Sequence, residues 1–170
     1  MNKIDSVSKG LQDFIFLSKY ARWVPKLNRR ETWEEAVDRV CNMHLQKYHY
    51  LPSEDKERIV WAFSLVKEKR VLPSMRSMQF AGPAINAHNA RGYNCSVRHI
   101  DSIRAFAEIG YLMLCGCGTG IGLSKHFLSR LPHLVGPDDK TGSVVTYLIE
   151  DTIEGWADSL EALLMCYFKN

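Results

Sequence analysis

A chain of 170 residues with 46% hydrophobic content is long enough to bury a core, and its formal net charge of +3 is mild. No lysine/arginine block stands out, so direct nucleic-acid binding is not expected. No apolar run reaches membrane-span length, and the polar opening at Met1–Gly10 does not read as a signal peptide, so no membrane role is expected and the five cysteines imply free thiols in a reducing cytoplasm.

Along the chain, Thr32 and Glu35 have capping-box spacing, and Trp33, Ala36, Val37, Val40, Cys41 and His44 follow at helical period. Pro52-Ser53 opens a second helix with Ile59, Val60, Phe63 and Val66 inward. It should end near Arg70, because Pro73 disfavours a helical Leu72. Leu72 to Arg91 reads as loop, with a turn at Gly82-Pro83. A short strand fits Gly92–Arg98, after which Asp101-Ser102 caps a helix that turns Phe106, Ile109, Leu112 and Met113 to one face. A glycine loop then leads to a strand near Ile121–Ser124, and Pro132–Gly142 is loop. Ser143–Ile149 is β-branched, either a strand or the lead into a last helix capped by Asp151 or Thr152, with Trp156, Leu160, Leu163, Leu164 and Tyr167 inward. Strand, helix, glycine loop, strand is the pattern of a βαβ unit, hence an α/β fold. Two or three parallel strands cannot cover themselves on both faces, so the chain reads as the front of something larger.

The chemistry-bearing residues concentrate in that βαβ stretch. Glycines at 116, 118, 120 and 122 let a backbone approach a ligand and aim N–H groups at an anion, though a tight helix-to-strand connection explains them equally well. No Gly-Lys-Ser/Thr follows, and the run leads to a strand rather than opening a helix, so neither a P-loop nor a dinucleotide fingerprint is present. Cys95 alone is a small hydrophobe unless a partner thiol or positive surroundings activate it. Cys115 and Cys117 with His126 and His133 invite a zinc reading, against which the Cys-x-Cys spacing counts. Cys41 and Cys166 fall at core-facing helical positions, and Glu150, Asp151 and Glu154 gather at a helix start where the dipole favours them.

Taken in order, several of these pieces resemble the adenosylcobalamin-dependent ribonucleotide reductases, nearest their ribonucleoside-triphosphate branch. The pieces are Tyr20-Ala21-Arg22-Trp23-Val24-Pro25, Glu31-Thr32-Trp33-Glu34-Glu35, Pro73-Ser74-Met75-Arg76 with Ala81-Gly82, Asn94-Cys95, Gly118-x-Gly120-x-Gly122 with Leu131-Pro132, and Asp151-Thr152-x-Glu154-Gly155-Trp156. The resemblance implies an N-terminal helical region (residues 1–71) followed by the first strands of a ten-stranded α/β barrel (72–170). It implies thiyl-radical reduction of a ribonucleoside triphosphate, with Cys95 as one of two reducing thiols. Ser74, Ser77, Asn94, Ser96 and Gly120 would contact substrate, and Asp101 a dNTP effector. Adenosylcobalamin would be held mainly by the part this chain lacks. A thioredoxin-type reductant would reset the disulfide, and a missing C-terminal segment, as a separate chain or not, would complete the site. None of the other cysteines matches the family's radical-bearing or partner thiols, so the chain should not turn over alone. The alternative is a non-catalytic nucleotide-binding or assembly fragment of the same fold.

Overall fold

The structure, a computed structural model, describes residues 3–135 and 146–168, which divide into two compact units at Gly92/Tyr93.

The first unit is helical. Helix α1 (Lys3–Lys19) leads into two short antiparallel strands, β1 (Trp23–Val24) and β2 (Arg29–Arg30), joined through Asn28 in the left-handed region at φ 48. Helix α2 (Trp33–Lys47) begins with the expected capping box: Thr32 Oγ1 accepts the Glu35 N–H, and the Glu35 carboxylate accepts the Thr32 N–H. Its buried face is Ala36, Val37, Val40, Cys41 and Met43. Against it lies α3 (Ser53–Lys67), of which only Val66 is fully buried; Val60 is exposed, contrary to its expected inward position. The segment expected as loop carries two short helices, α4 (Met75–Phe80) and α5 (Pro83–Ala87), and α4 sends Met78 into the core beside Ala81.

A buried ion pair ties these pieces together. Arg39 on α2 grips Glu31 bidentately at 2.8 and 2.9 Å, and its guanidinium also donates to the carbonyls of Met78 and Ala81 at 3.0 and 3.2 Å. Glu31 takes a further bond from the Arg22 N–H at 3.0 Å. Burial alone would raise the Glu31 carboxyl, but the Arg39 and Arg22 hydrogen bonds and the two guanidinium charges outweigh it and hold it below its ordinary value.

The second unit contains the expected βαβ. Strand β3 (Cys95–His99) and strand β4 (Gly118–Gly122) pair in parallel around α6 (Ile103–Leu114), and no closed barrel forms among the described residues. Four-residue α7 (Lys125–Leu128) follows β4, and α8 (Ile153–Met165) packs along α6. Thr152 caps α8 by accepting the Gly155 N–H at 2.9 Å. Arg104 on α6 reaches Asp158 and Glu161 on α8 at 2.9 and 2.5 Å.

Four expectations are corrected here. The buried positions of α6 are Ile103, Ala105, Ala107 and Ile109, while Met113 stands exposed. On α8 the buried residues are Gly155 and Ala157, and Trp156, Leu163 and Tyr167 are exposed. Small residues take the fully buried positions, and Leu160 of α8 lies against Gly110 of α6 while Trp156 and Leu163 stay at the surface. Cys166, expected in the core, is exposed at the end of α8. Of the expected 143–149 strand, 143–145 lie outside the described residues and 146–149 are not in a strand.

Candidate functional site

The glycine run is the strand itself, not a loop before it. Just past the end of α6, Gly116 has a φ of 88, in the left-handed region. Its N–H bonds the Met113 carbonyl, and the Cys117 N–H bonds that of Leu112, a Schellman closure that favours glycine at this position. From Gly118 onward the chain is extended, and the Gly118 N–H is used on the Asn94 carbonyl at 2.8 Å. The expected anion cradle of free N–H groups is therefore not what these glycines build.

What they build is a bare face. Side chains alternate along a strand, so Cys95, Val97 and His99 share one side of β3. The register sets them opposite Gly118, Gly120 and Gly122 respectively. Every residue of β4 on that side lacks a side chain, and the backbone lies open beside the exposed Cys95 thiol. Gly120 stands opposite Val97, two residues or about 6.6 Å along the strands from Cys95's level. At the far end His99 fills the space over Gly122 and stacks on Phe127 with ring centroids 4.1 Å apart.

The opposite face of the pair is polar and knitted. Ser96 Oγ and Thr119 Oγ1 are 3.1 Å apart, and the buried Cys117 thiol donates to Ser96 Oγ at 3.4 Å. Arg98 reaches Glu108 at 2.5 Å and Asp101 at 3.1 Å. The Glu108 hydrogen bond, joined by the charges of Glu108 and Asp101, raises the Arg98 guanidinium above its ordinary value. Asp101 thus enters the structure already paired. A cavity of about 460 Å³ opens between α6 and α8, lined by Arg98, Arg104, Tyr111, Glu154 and Asp158 among others, and Cys95 is not part of it.

The structure brings Cys95, Asn94, Ser96 and Gly120 onto one strand pair, with Ser96 directed to the face opposite Cys95. Asn94 offers its carbonyl to the β4 ladder. Ser74 and Ser77 lie in the first unit, at the N-cap of α4 and within it, and the Ser74 side chain makes no capping bond. Among the described residues no group of three or more His, Cys, Asp or Glu could hold a metal, and Cys115 and Cys117 are buried free thiols. His99 was not singled out in the sequence; its period-two spacing from Cys95 was the available signal.

Comparison with known proteins joins these observations. Residues 1–80 match the family described as the ribonucleotide reductase alpha domain. Over those residues the chain is similar to the ribonucleotide reductases. A Mycobacterium phage D29 protein named for adenosylcobalamin-dependent ribonucleoside-triphosphate reductase is 26% identical over 93% of this chain and 26% of its own length. The Euglena gracilis adenosylcobalamin-dependent ribonucleoside-triphosphate reductase is 25% identical over 94% of this chain and 24% of its own. The fold matches the crystal structure of a B12-dependent (class II) ribonucleotide reductase with a TM-score of 0.76 at 19% identity, over 91% of this chain and 29% of that one. The chain spans about a quarter of the length of the curated relatives it matches.

Proposed function

We propose that this chain supplies one reducing thiol and part of the substrate floor of a reductase that converts ribonucleoside triphosphates to deoxyribonucleotides. The observation that carries this reading is the exposed Cys95 at the amino end of β3, beside the side-chain-free face of β4. A ribose lying on the β4 side of that face meets backbone, with the Val97 side chain beside it, as it approaches the thiol. Replacing a 2′-hydroxyl by hydrogen balances with two thiols: the hydroxyl leaves as water, one hydrogen stays on carbon, and the two sulfurs become a disulfide. Cys95 is one of the two. Cys117 cannot be the other from its place, because its sulfur turns to Ser96 on the opposite face. The second thiol comes from another segment, and a thioredoxin-type dithiol restores the pair.

Adenosylcobalamin, when bound, supplies the radical that starts such a reaction. Its site lies mainly in the segment that the longer relatives carry, and no step is derived through it. The chain's own part is to hold the thiol, floor the ribose and exclude side chains from the path. Asn94 and Gly120 border that path. Ser74 and Ser77 offer hydroxyls to the polyphosphate, and Asp101, already held by Arg98, contacts a dNTP effector.

Cys95→Ser tests the reading. Supplied with the segment that the longer relatives carry, the wild-type chain should form deoxyribonucleotide and the variant should form none above background. Unchanged turnover in the variant refutes the role of Cys95. A chain that binds nucleotide but never turns over with any such segment refutes the enzyme reading in favour of a non-catalytic fragment.

A further inference from the structure

The first unit has a cavity that the thiol face does not use. It is an open cleft of about 450 Å³ between α1, the start of α2 and the end of α3, within the size range of small-ligand sites. Its apolar wall includes Phe16, Tyr20 and Trp33, and its polar groups are Gln12, Asp13 and Lys69. Phe16 and Trp33 meet edge to face at 5.5 Å, and the Trp33 indole N–H is fixed to the Lys67 carbonyl at 3.0 Å, so the aromatic corner is preformed.

Lys69 is the unusual member. It closes α3 with a φ of 58, the left-handed position where glycine is the usual residue. Its N–H bonds the Val66 carbonyl and the next N–H bonds that of Leu65. Glycine would close this turn without strain, yet a lysine is held there with its ammonium 5.5 Å from the Trp33 ring centre. Among the described residues no carboxylate pairs with it. The exposed Lys69 ammonium thus stands at the rim of a cleft with an aromatic corner on one side and an amide and a carboxylate on the other.

The geometry points to a binding site for an aminopurine nucleotide in this cavity. The base lies in the aromatic corner, Asp13 accepts from its exocyclic amine, Gln12 reads the same edge, and Lys69 takes the phosphate. The site stands apart from the Cys95 face, and its test reads no reductase activity, so either can fail without the other.

The test uses the purified chain with Trp23, Trp61 and Trp156, all more than half exposed, changed to Phe so that Trp33 alone emits. AMP should quench Trp33 saturably, and adenosine should bind at least tenfold more weakly. Lys69→Gly should abolish that difference while leaving Tm unchanged or higher, because glycine suits the left-handed turn. IMP, with an acceptor in place of the amine, should bind more weakly than AMP and recover in Asp13→Asn. Equal binding of AMP and adenosine overturns the proposal, as does a Lys69→Gly variant that binds AMP like wild type. Absence of saturable quenching at millimolar AMP overturns it, and so does self-association that buries Trp33 without nucleotide.

Discussion

Gly120→Ala separates the fold from the function proposed for the glycine face. A Cβ at position 120 meets Val97 Cγ2 at 3.4 Å and the Ser96 carbonyl oxygen at 3.7 Å. Val97 is 72% exposed and free to turn away. Alanine in a strand interior is better than glycine by about 0.5–1 kcal/mol, so the net change in stability should stay within about 1 kcal/mol of zero. Gly122→Ala is the contrast. Its Cβ would sit 2.1 Å from His99 Nδ1, and the ring can yield only by leaving its stack on Phe127. Losing that stack and straining the strand end should cost about 1–3 kcal/mol. Urea unfolding followed by circular dichroism measures both. The functional consequence runs the other way for Gly120: its methyl stands about 1.5 Å above the floor on the thiol's side, and a displacement of that order costs about 100-fold in turnover. Deoxyribonucleotide formation with the completing segment supplied should therefore collapse in Gly120→Ala while its urea midpoint holds. Full turnover in Gly120→Ala, or a Gly122→Ala chain as stable as wild type, refutes the bare-face argument.

Native thiol titration with an aromatic disulfide reagent should find two fast thiols, Cys95 and Cys166, and three slow ones, Cys41, Cys115 and Cys117; Cys95→Ser should remove one fast thiol, and fast reaction of Cys117 would contradict the strand pairing. Arg39→Met leaves Glu31 charged and unpartnered and strips two core carbonyls of their donor, a loss of about 3–5 kcal/mol measurable by urea unfolding. The pH dependence follows from the same pair: the folded Glu31 carboxyl lies below its unfolded value, so its stabilisation is complete above the unfolded value and is lost as pH falls through the folded one. Arg39→Met should flatten that acid limb, and an unchanged limb would show that Glu31 does not carry it.

Local signals were readable and long-range ones were not. Thr32 and Glu35 announce their capping box because both halves lie within one turn. The βαβ was legible because strand, cap and helix end each have a short signature. The glycine run is ambiguous from sequence for a reason in the same class. Glycine reads as a loop former, yet its spacing of two is the period of a strand and puts 118, 120 and 122 on one face. Helical periodicity identifies an apolar side but not how much of it is covered, which is why Met113, Trp156 and Leu163 read as inward from sequence and stand exposed. The Glu31–Arg39 grip joins residues on different elements and leaves no local mark, as does the cavity walled by Phe16 and Trp33.

The parallel pairing of β3 and β4 also bears on how the chain comes into being. The Gly118 N–H and the Gly122 carbonyl turn toward β3, so the main-chain groups of Thr119 and Ile121 turn outward along the other rim. During synthesis that rim is complete as soon as β4 leaves the ribosome, and it waits for whatever strand comes next. Parallel sheets assemble slowly, and a waiting rim recruits neighbours from other nascent chains. Edge strands are commonly guarded by lysines or prolines, and β4 has neither. Soluble yield should then follow the rate of synthesis more closely than the final stability. The emptiness that clears a path to Cys95 leaves the growing sheet unguarded, so the chemistry proposed for Cys95 and the solubility of the chain pull on one row of glycines in opposite directions.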